Sequence, residues 1–270
     1  MTAPAQASAT SNPFPELAPQ QLFSLQGQVV VITGAAGGIG GALARGFAAA
    51  GAKLVACDVN PRVHELAAQW QKDGMQVDSL TFDLTREEEI GQAFAQIVER
   101  HGRIDVLINN AGVIVRTPFL ELKREEWQKV IDVDLTACFL MAQQAARLMV
   151  RQGSGRIIHL SSIMNHVARP NLVPYVSAKG GVSALTRAMA ADLGGTGVTV
   201  NALAPGYTQT EFSQAKDPEF NAFVSGWTPA RRWGQPEDIC GAALLLASGA
   251  GAYINGQTLY IDGGFLAVTR

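Results

Sequence analysis

Residues 29–44 read Val29-Val30-Val31-Ile32-Thr33-Gly34-Ala35-Ala36-Gly37-Gly38-Ile39-Gly40-Gly41-Ala42-Leu43-Ala44, and the order of chemistries in that stretch decides the fold. Five β-branched residues in a row read as a strand buried on both faces, the appearance of a central strand in a parallel sheet. A glycine-rich turn follows at once, and an Ala-rich run then reads as helix. Such a junction lets backbone N–H groups approach a pyrophosphate closely, while the amino end of the helix supplies partial positive charge. An ordinary glycine turn would need neither flank. Asp58 stands eighteen positions after Gly40, at the end of the strand-like KLVAC, where a carboxylate accepts hydrogen bonds from the adenosine ribose hydroxyls. It also repels a 2′-phosphate, so NAD is favoured over NADP; Arg62, close by, argues the other way.

Outward from this unit, strands and helices alternate. Helices are predicted over about 61–73 and 86–100, with a third strand between them ending at Phe82 and Asp83. A strand over 104–108 runs into Asn109-Asn110-Ala111-Gly112, and a long helical region spans about 124–151. Ile157, Ile158 and Leu160 mark another buried strand. Pro174 then opens a helix on which Val182, Leu185, Met189 and Leu193 recur at helical spacing. A strand over 198–203 leads into Ala204-Pro205-Gly206-Tyr207-Thr208-Gln209-Thr210. Residues 232–238 open a last helix, and YINGQTLYIDGGF closes the sheet. This alternation predicts an α/β fold, a single-domain Rossmann-type doubly wound parallel sheet over residues 23–270. Residues 1–22, rich in Ala, Pro, Ser and Thr, read as a disordered tail without the basic start or apolar middle of a secretory signal. The polar segment 211–226 reads as a mobile flap over substrate or as a surface excursion.

Chemistry concentrates after the 157–160 strand. Ser162 lies at the carboxyl edge, where such sheets place their sites. Tyr175 and Lys179, four apart on the predicted helix, share a face, and a nearby ammonium favours the ionised phenol, making it a usable base. Ser162, twelve intervening residues, Tyr175, three more and Lys179 together resemble the catalytic signature of the short-chain dehydrogenases/reductases. The resemblance extends over about residues 25–265, and it implies a mechanism. Tyr175 exchanges a proton with the substrate hydroxyl, Ser162 hydrogen-bonds the oxygen, and Lys179 lowers the phenol pKa and contacts the nicotinamide ribose.

The same resemblance assigns further residues. Gly34, Gly38, Ile39 and Gly40 hold the pyrophosphate, Asp83 and Leu84 flank the adenine, and Asn110, Ala111 and Gly112 floor the cofactor site. Pro205, Gly206, Thr208 and Thr210 form the nicotinamide-side loop. Members that prefer NADP usually carry a basic residue where this chain has Gly37. Asp134 departs from the family, which mostly has Asn there to hold a water linking the active-site Lys to solvent. An ionised Asp accepts but does not donate, so the hydrogen bonding at that position must differ, or a backbone carbonyl must carry the role.

NNAGVIVR, VIDVDL, YVSAKGGV and ARRWG look most similar to the sugar-acid members of the family, the gluconate 5-dehydrogenases and 2-keto-3-deoxygluconate dehydrogenases. A sugar or sugar-acid substrate is therefore expected, with Arg116 as carboxylate receptor and Met164, His166 and Arg169 near the pocket mouth beside Ser162 and Tyr175. An acyl-carrier-protein ketoreductase is the alternative within the family, though Asp58 speaks against its usual NADPH. A non-catalytic NAD sensor would have little need for Ser162, Tyr175 and Lys179 together. The resemblance also implies a homotetramer.

Bulk properties exclude other classes. The net charge of −2 argues against a nucleic-acid footprint. With 47% hydrophobic and 16% charged residues, the chain has the composition of a globular domain, and no apolar run reaches the ~20 residues of a membrane span. Three scattered cysteines lack metal-ligand spacing, so no metal is expected and a cytoplasmic setting is.

Overall fold

The computed structural model describes residues 17–211, 213 and 215–269. Most of the expected tail, residues 1–16, lies outside them. Its last part forms one helical turn, α1 (Pro19–Leu22), just before Leu25 enters the core. The chain then runs β1 (Val29–Thr33), α2 (Gly38–Ala49), β2 (Lys53–Asp58), α3 (Arg62–Lys72), β3 (Val77–Thr81), α4 (Glu87–His101) and β4 (Val106–Asn109). It continues with α5 (Arg124–Ile131), α6 (Ala137–Gln152), β5 (Gly155–Leu160), α7 (Val173–Asp192), β6 (Val198–Pro205), α8 (Pro218–Trp227), α9 (Cys240–Ala247) and β7 (Thr258–Ile261).

The seven strands form one sheet in the order β3-β2-β1-β4-β5-β6-β7, every pair parallel. This is the doubly wound parallel sheet the alternation predicts. Side chains alternate across β1: Val30 and Ile32 face a core shared with Leu43 and Phe47 of α2, while Val29 and Val31 face Phe94, Ile97 and Met141 of α4 and α6. Each fully buried Val, Leu, Ile or Phe contributes about 1.5–3 kcal/mol. The strand order reverses between β1 and β4, and such a switch point opens a crevice beyond the carboxyl ends of the strands.

Besides α1, which falls within the tail expected to be disordered, two segments differ from expectation. The helical region over 124–151 is interrupted by a π turn, Asp132–Thr136, between α5 and α6. The flap expected over 211–226 contains α8, capped by Asp217, whose Oδ1 accepts the N–H groups of Glu219 (3.1 Å) and Phe220 (3.2 Å). It is less polar than its ends suggest, because Phe220 and Trp227 pack with Tyr207, Trp233 and Phe265. Phe212 and Gln214 lie outside the described residues. Among the described residues no helix is long and apolar enough to cross a membrane, and no cluster of side chains could hold a metal ion.

Candidate active site

The turn after β1 is shaped by close backbone approach. Gly34 has φ +67°, in the left-handed region, and a Cβ there would lie 2.8 Å from the Ala111 Cα. A Cβ at Gly40 would lie 2.1 Å from the Gly34 carbonyl oxygen, so only glycine lets α2 pack against the turn it follows. Gly37 and Gly38 are different. A Cβ at Gly37 would find nothing nearer than Glu211 Oε1 at 4.0 Å, and one at Gly38 only the Thr210 side chain at 3.5 Å. The amino end of α2 therefore leaves an open cradle of the kind a pyrophosphate fills.

Three side chains fix the cradle from behind. Asp58, at the end of β2, accepts the Ala36 N–H on Oδ2 and the Asn60 N–H on Oδ1, both at 2.9 Å. Asn110 Nδ2 donates to the carbonyls of Thr33 (2.9 Å) and Gly34 (3.1 Å), while Thr33 Oγ1 accepts the N–H groups of Asn110 (3.1 Å) and Ala111 (3.2 Å). The Asn-Asn-Ala-Gly run thus stitches the end of β4 to the end of β1.

A cleft of about 510 Å³ leads from Asp58 and Arg62, past Gly37–Ile39, to Ser162, Tyr175 and Lys179. Ser162 follows β5 by two residues and caps the short Ile163–Asn165 turn, its Oγ accepting the Met164 N–H at 3.2 Å. Ser161 Oγ donates to the Lys179 carbonyl (3.1 Å) and meets Ser183 Oγ (3.0 Å), pinning α7 to the end of β5. One turn apart on α7, Lys179 Nζ stands 5.4 Å from the centre of the Tyr175 ring.

Lys179 is 4% exposed and Asp134 0%, and their Nζ and Oδ2 are 3.1 Å apart. Lys179 also donates to the Leu160 carbonyl at 2.9 Å, and Asp134 Oδ1 accepts the Val113 N–H at 2.7 Å. Burial alone pushes the ammonium down, but the Asp134 carboxylate, helped by Tyr175 and Cys138, overrides it and holds Lys179 above its ordinary value. Burial pushes the Cys138 thiol up to about 12, with Lys179 opposing and Asp134 adding. His159, beside Asn109 on the neighbouring strand, is pushed down to about 4 by burial and then by Lys179.

The cleft gathers most of the residues singled out in the sequence: Gly34, Gly38, Ile39, Asp58, Asp83, Leu84, Asn110, Ala111, Gly112, Asp134, Pro205 and Thr210 line it with Ser162, Tyr175 and Lys179. Gly40 sits behind the wall, Gly206 packs on the Asp262 backbone, and Thr208 Oγ1 donates to the Gly206 carbonyl at 3.2 Å. The other substrate-side candidates, Met164, His166, Arg169 and Arg116, are not among the lining residues. Met164 is buried, Arg169 stacks 3.7 Å over the Phe220 ring, and His166 meets Tyr260 edge-on. Arg116 is exposed, two residues beyond Ile114, which does line the cleft. Ser161, Val113, Ile114, Val133 and Glu211 line it too and went unpredicted. Adjacency to the assigned motifs was their one signal.

The family model described as Enoyl-(Acyl carrier protein) reductase matches residues 34–266. The 5-keto-D-gluconate 5-reductase of Escherichia coli (strain K12) is 41% identical over 248 residues, covering 91% of this chain and 98% of that protein. The gluconate 5-dehydrogenase of Gluconobacter oxydans (strain 621H) is 39% identical over 246 residues, covering 90% and 96%. A crystal structure of a gluconate 5-dehydrogenase from Burkholderia cenocepacia J2315, in complex with NADP and tartrate, matches with a TM-score of 0.90 at 40% identity, covering 93% of this chain and 99% of that one. Likeness at this identity over nine-tenths of the chain decides its kinship: the protein belongs to the short-chain dehydrogenases/reductases, nicotinamide-dependent oxidoreductases acting on CH–OH groups.

Proposed function

We propose that the protein oxidises a secondary hydroxyl of a sugar acid, or reduces the corresponding ketone, with Tyr175 as the proton-exchanging group. The observation that carries this is the half-buried Tyr175 phenol on the cleft wall, with the Lys179 ammonium 5.4 Å from its ring and Ser162 on the same wall. In oxidation the substrate hydroxyl gives its proton to the Tyr175 oxygen; in reduction Tyr175 returns it. Ser162 Oγ already accepts the Met164 N–H, which leaves its own O–H to donate to the substrate oxygen. Lys179 stays charged throughout, held between Asp134 and the Leu160 carbonyl. The cradle at Gly37 and Gly38 would hold a nicotinamide cofactor, which when bound would accept the hydride in oxidation and supply it in reduction.

For the cofactor we infer that the cleft takes NADP as well as NAD. Asp58 favours NAD by accepting from ribose hydroxyls and repelling a 2′-phosphate. Both its oxygens, however, already accept backbone N–H groups, and Arg62 stands on the same wall. The NADP in the Burkholderia structure supports the wider reading.

The substrate class rests on the names of the relatives and on the tartrate in that same structure; Arg116, exposed two residues beyond the cleft-lining Ile114, is the candidate carboxylate receptor, because a guanidinium suits a carboxylate through two parallel hydrogen bonds. The test is a panel of gluconate, its keto acids, neutral sugars and acyl thioesters with each cofactor. Turnover of sugar acids above the rest is expected; turnover of acyl thioesters alone overturns the reading.

A further inference from the structure

We propose that Asp134 is a positioning residue for proton transfer, and that its ion pair with Lys179 sets the enzyme's working pH higher than a lone Lys179 would. The proposal rests on the reading of Tyr175 as the proton-exchanging group. Its basis is geometric. The π turn Asp132–Thr136 brings Asp134 into the core, where Oδ2 lies 3.1 Å from Lys179 Nζ. The pocket for the carboxylate is built on purpose by its neighbours: the Val113 N–H holds Oδ1, and a Cβ on Gly112 would lie 3.0 Å from Oδ2. π turns inside helices are uncommon and frequently mark functional sites.

The electrostatic consequence follows from charge. A lone buried ammonium beside a phenol stabilises the phenolate strongly; an ammonium already paired with a carboxylate presents the field of a dipole, which is weaker and falls off faster. Other ionisable groups face the pair from each packed element. Cys138 comes from α6 and His159 from β5, while Tyr175 shares α7. Burial keeps Cys138 a thiol and His159 uncharged through the neutral range, so neither offsets Asp134.

The experiment titrates the phenol itself. The chain has four tyrosines, so the ultraviolet phenolate signal of the protein minus that of its Tyr175→Phe counterpart isolates Tyr175 without substrate or cofactor. In Asp134→Asn this difference titration moves to lower pH by about one unit, the size expected for one unit charge several ångströms away in a partly buried site. The acid limb of kcat/KM for oxidation and the alkaline limb for reduction move the same way. Asp134→Glu, which keeps the charge, holds all three near wild type. A lone buried Lys179 is costly, so a second comparison covers misfolding of Asp134→Asn: Lys179→Met titrates at higher pH than the double variant Asp134→Asn/Lys179→Met. A phenolate titration that stays put or rises on loss of the Asp134 charge overturns the proposal, as does a shifted titration with unmoved activity limbs. A shifted titration in a protein that turns over no sugar acid supports the proposal and removes the substrate reading instead.

Discussion

The Asp58 carboxylate accepts the Ala36 N–H at 2.9 Å, so the residue that faces the adenosine ribose in the proposed complex also anchors the glycine turn that faces the pyrophosphate. Asp58→Ala should therefore do two things. Loss of the hydrogen bonds to Ala36 and Asn60 costs about 1–3 kcal/mol, a fall in Tm of several degrees by calorimetry. The ratio of kcat/KM for NAD over NADP should fall as well. A ratio that stays constant would remove Asp58 from cofactor selection and leave it a purely structural clamp.

Gly40→Ala should be more damaging than a helix-favouring substitution has any right to be. Alanine is normally better than glycine inside a helix by about 1 kcal/mol. Here its Cβ would meet the Gly34 carbonyl oxygen at 2.1 Å, so the turn must open. Cofactor affinity, read by fluorescence titration, should drop at least tenfold, whereas Gly91→Ala on α4, whose Cβ meets nothing within 4 Å, should raise Tm slightly and leave affinity alone.

Acid stability should carry a contribution from His159. Its folded-state pKa, pushed down to about 4 by burial and by Lys179, lies below the unfolded value near 6.5. The unfolded chain therefore takes up a proton first, and stability present above about pH 6.5 is lost as pH falls toward 4, by roughly 3 kcal/mol at the most. Denaturant unfolding of His159→Gln should show a shallower decline over that window than wild type. Equal slopes would mean that another group carries the acid limb.

Much of this was legible in the sequence because the informative residues are local. Strand, glycine turn and helix are contiguous over 29–44, and Tyr175 and Lys179 need one helical turn to meet. The resemblance connected Asp134 with Lys179 through a water, but their direct ion pair was not legible: it depends on a π turn that shifts the inward face of a long helix, and periodicity cannot register one extra residue. The α8 helix was hidden because the polar residues around it outweigh an aromatic stripe whose partners, Tyr207, Trp233 and Phe265, all lie outside the segment. Side chains at the pocket mouth were equally unreadable. Arg169 sits near Ser162 in the chain, yet its guanidinium stacks on Phe220.

Arg116→Ala tests the substrate class separately from the chemistry. A charge-assisted hydrogen bond contributes roughly 1.5–3 kcal/mol, so kcat/KM for sugar acids should fall about tenfold or more. Neutral sugars should suffer less. Equal losses on both would show that Arg116 does not read a carboxylate.

Whether Tyr175 carries the proton is read from single-turnover hydride transfer by Tyr175→Phe, followed at the reduced-nicotinamide absorbance band with cofactor binding monitored in parallel. Proton transfer by a positioned side chain typically contributes about 10²–10⁴-fold. Tyr175→Phe should lose that much with cofactor affinity unchanged; a variant that keeps nearly the full wild-type rate would show that another group moves the proton.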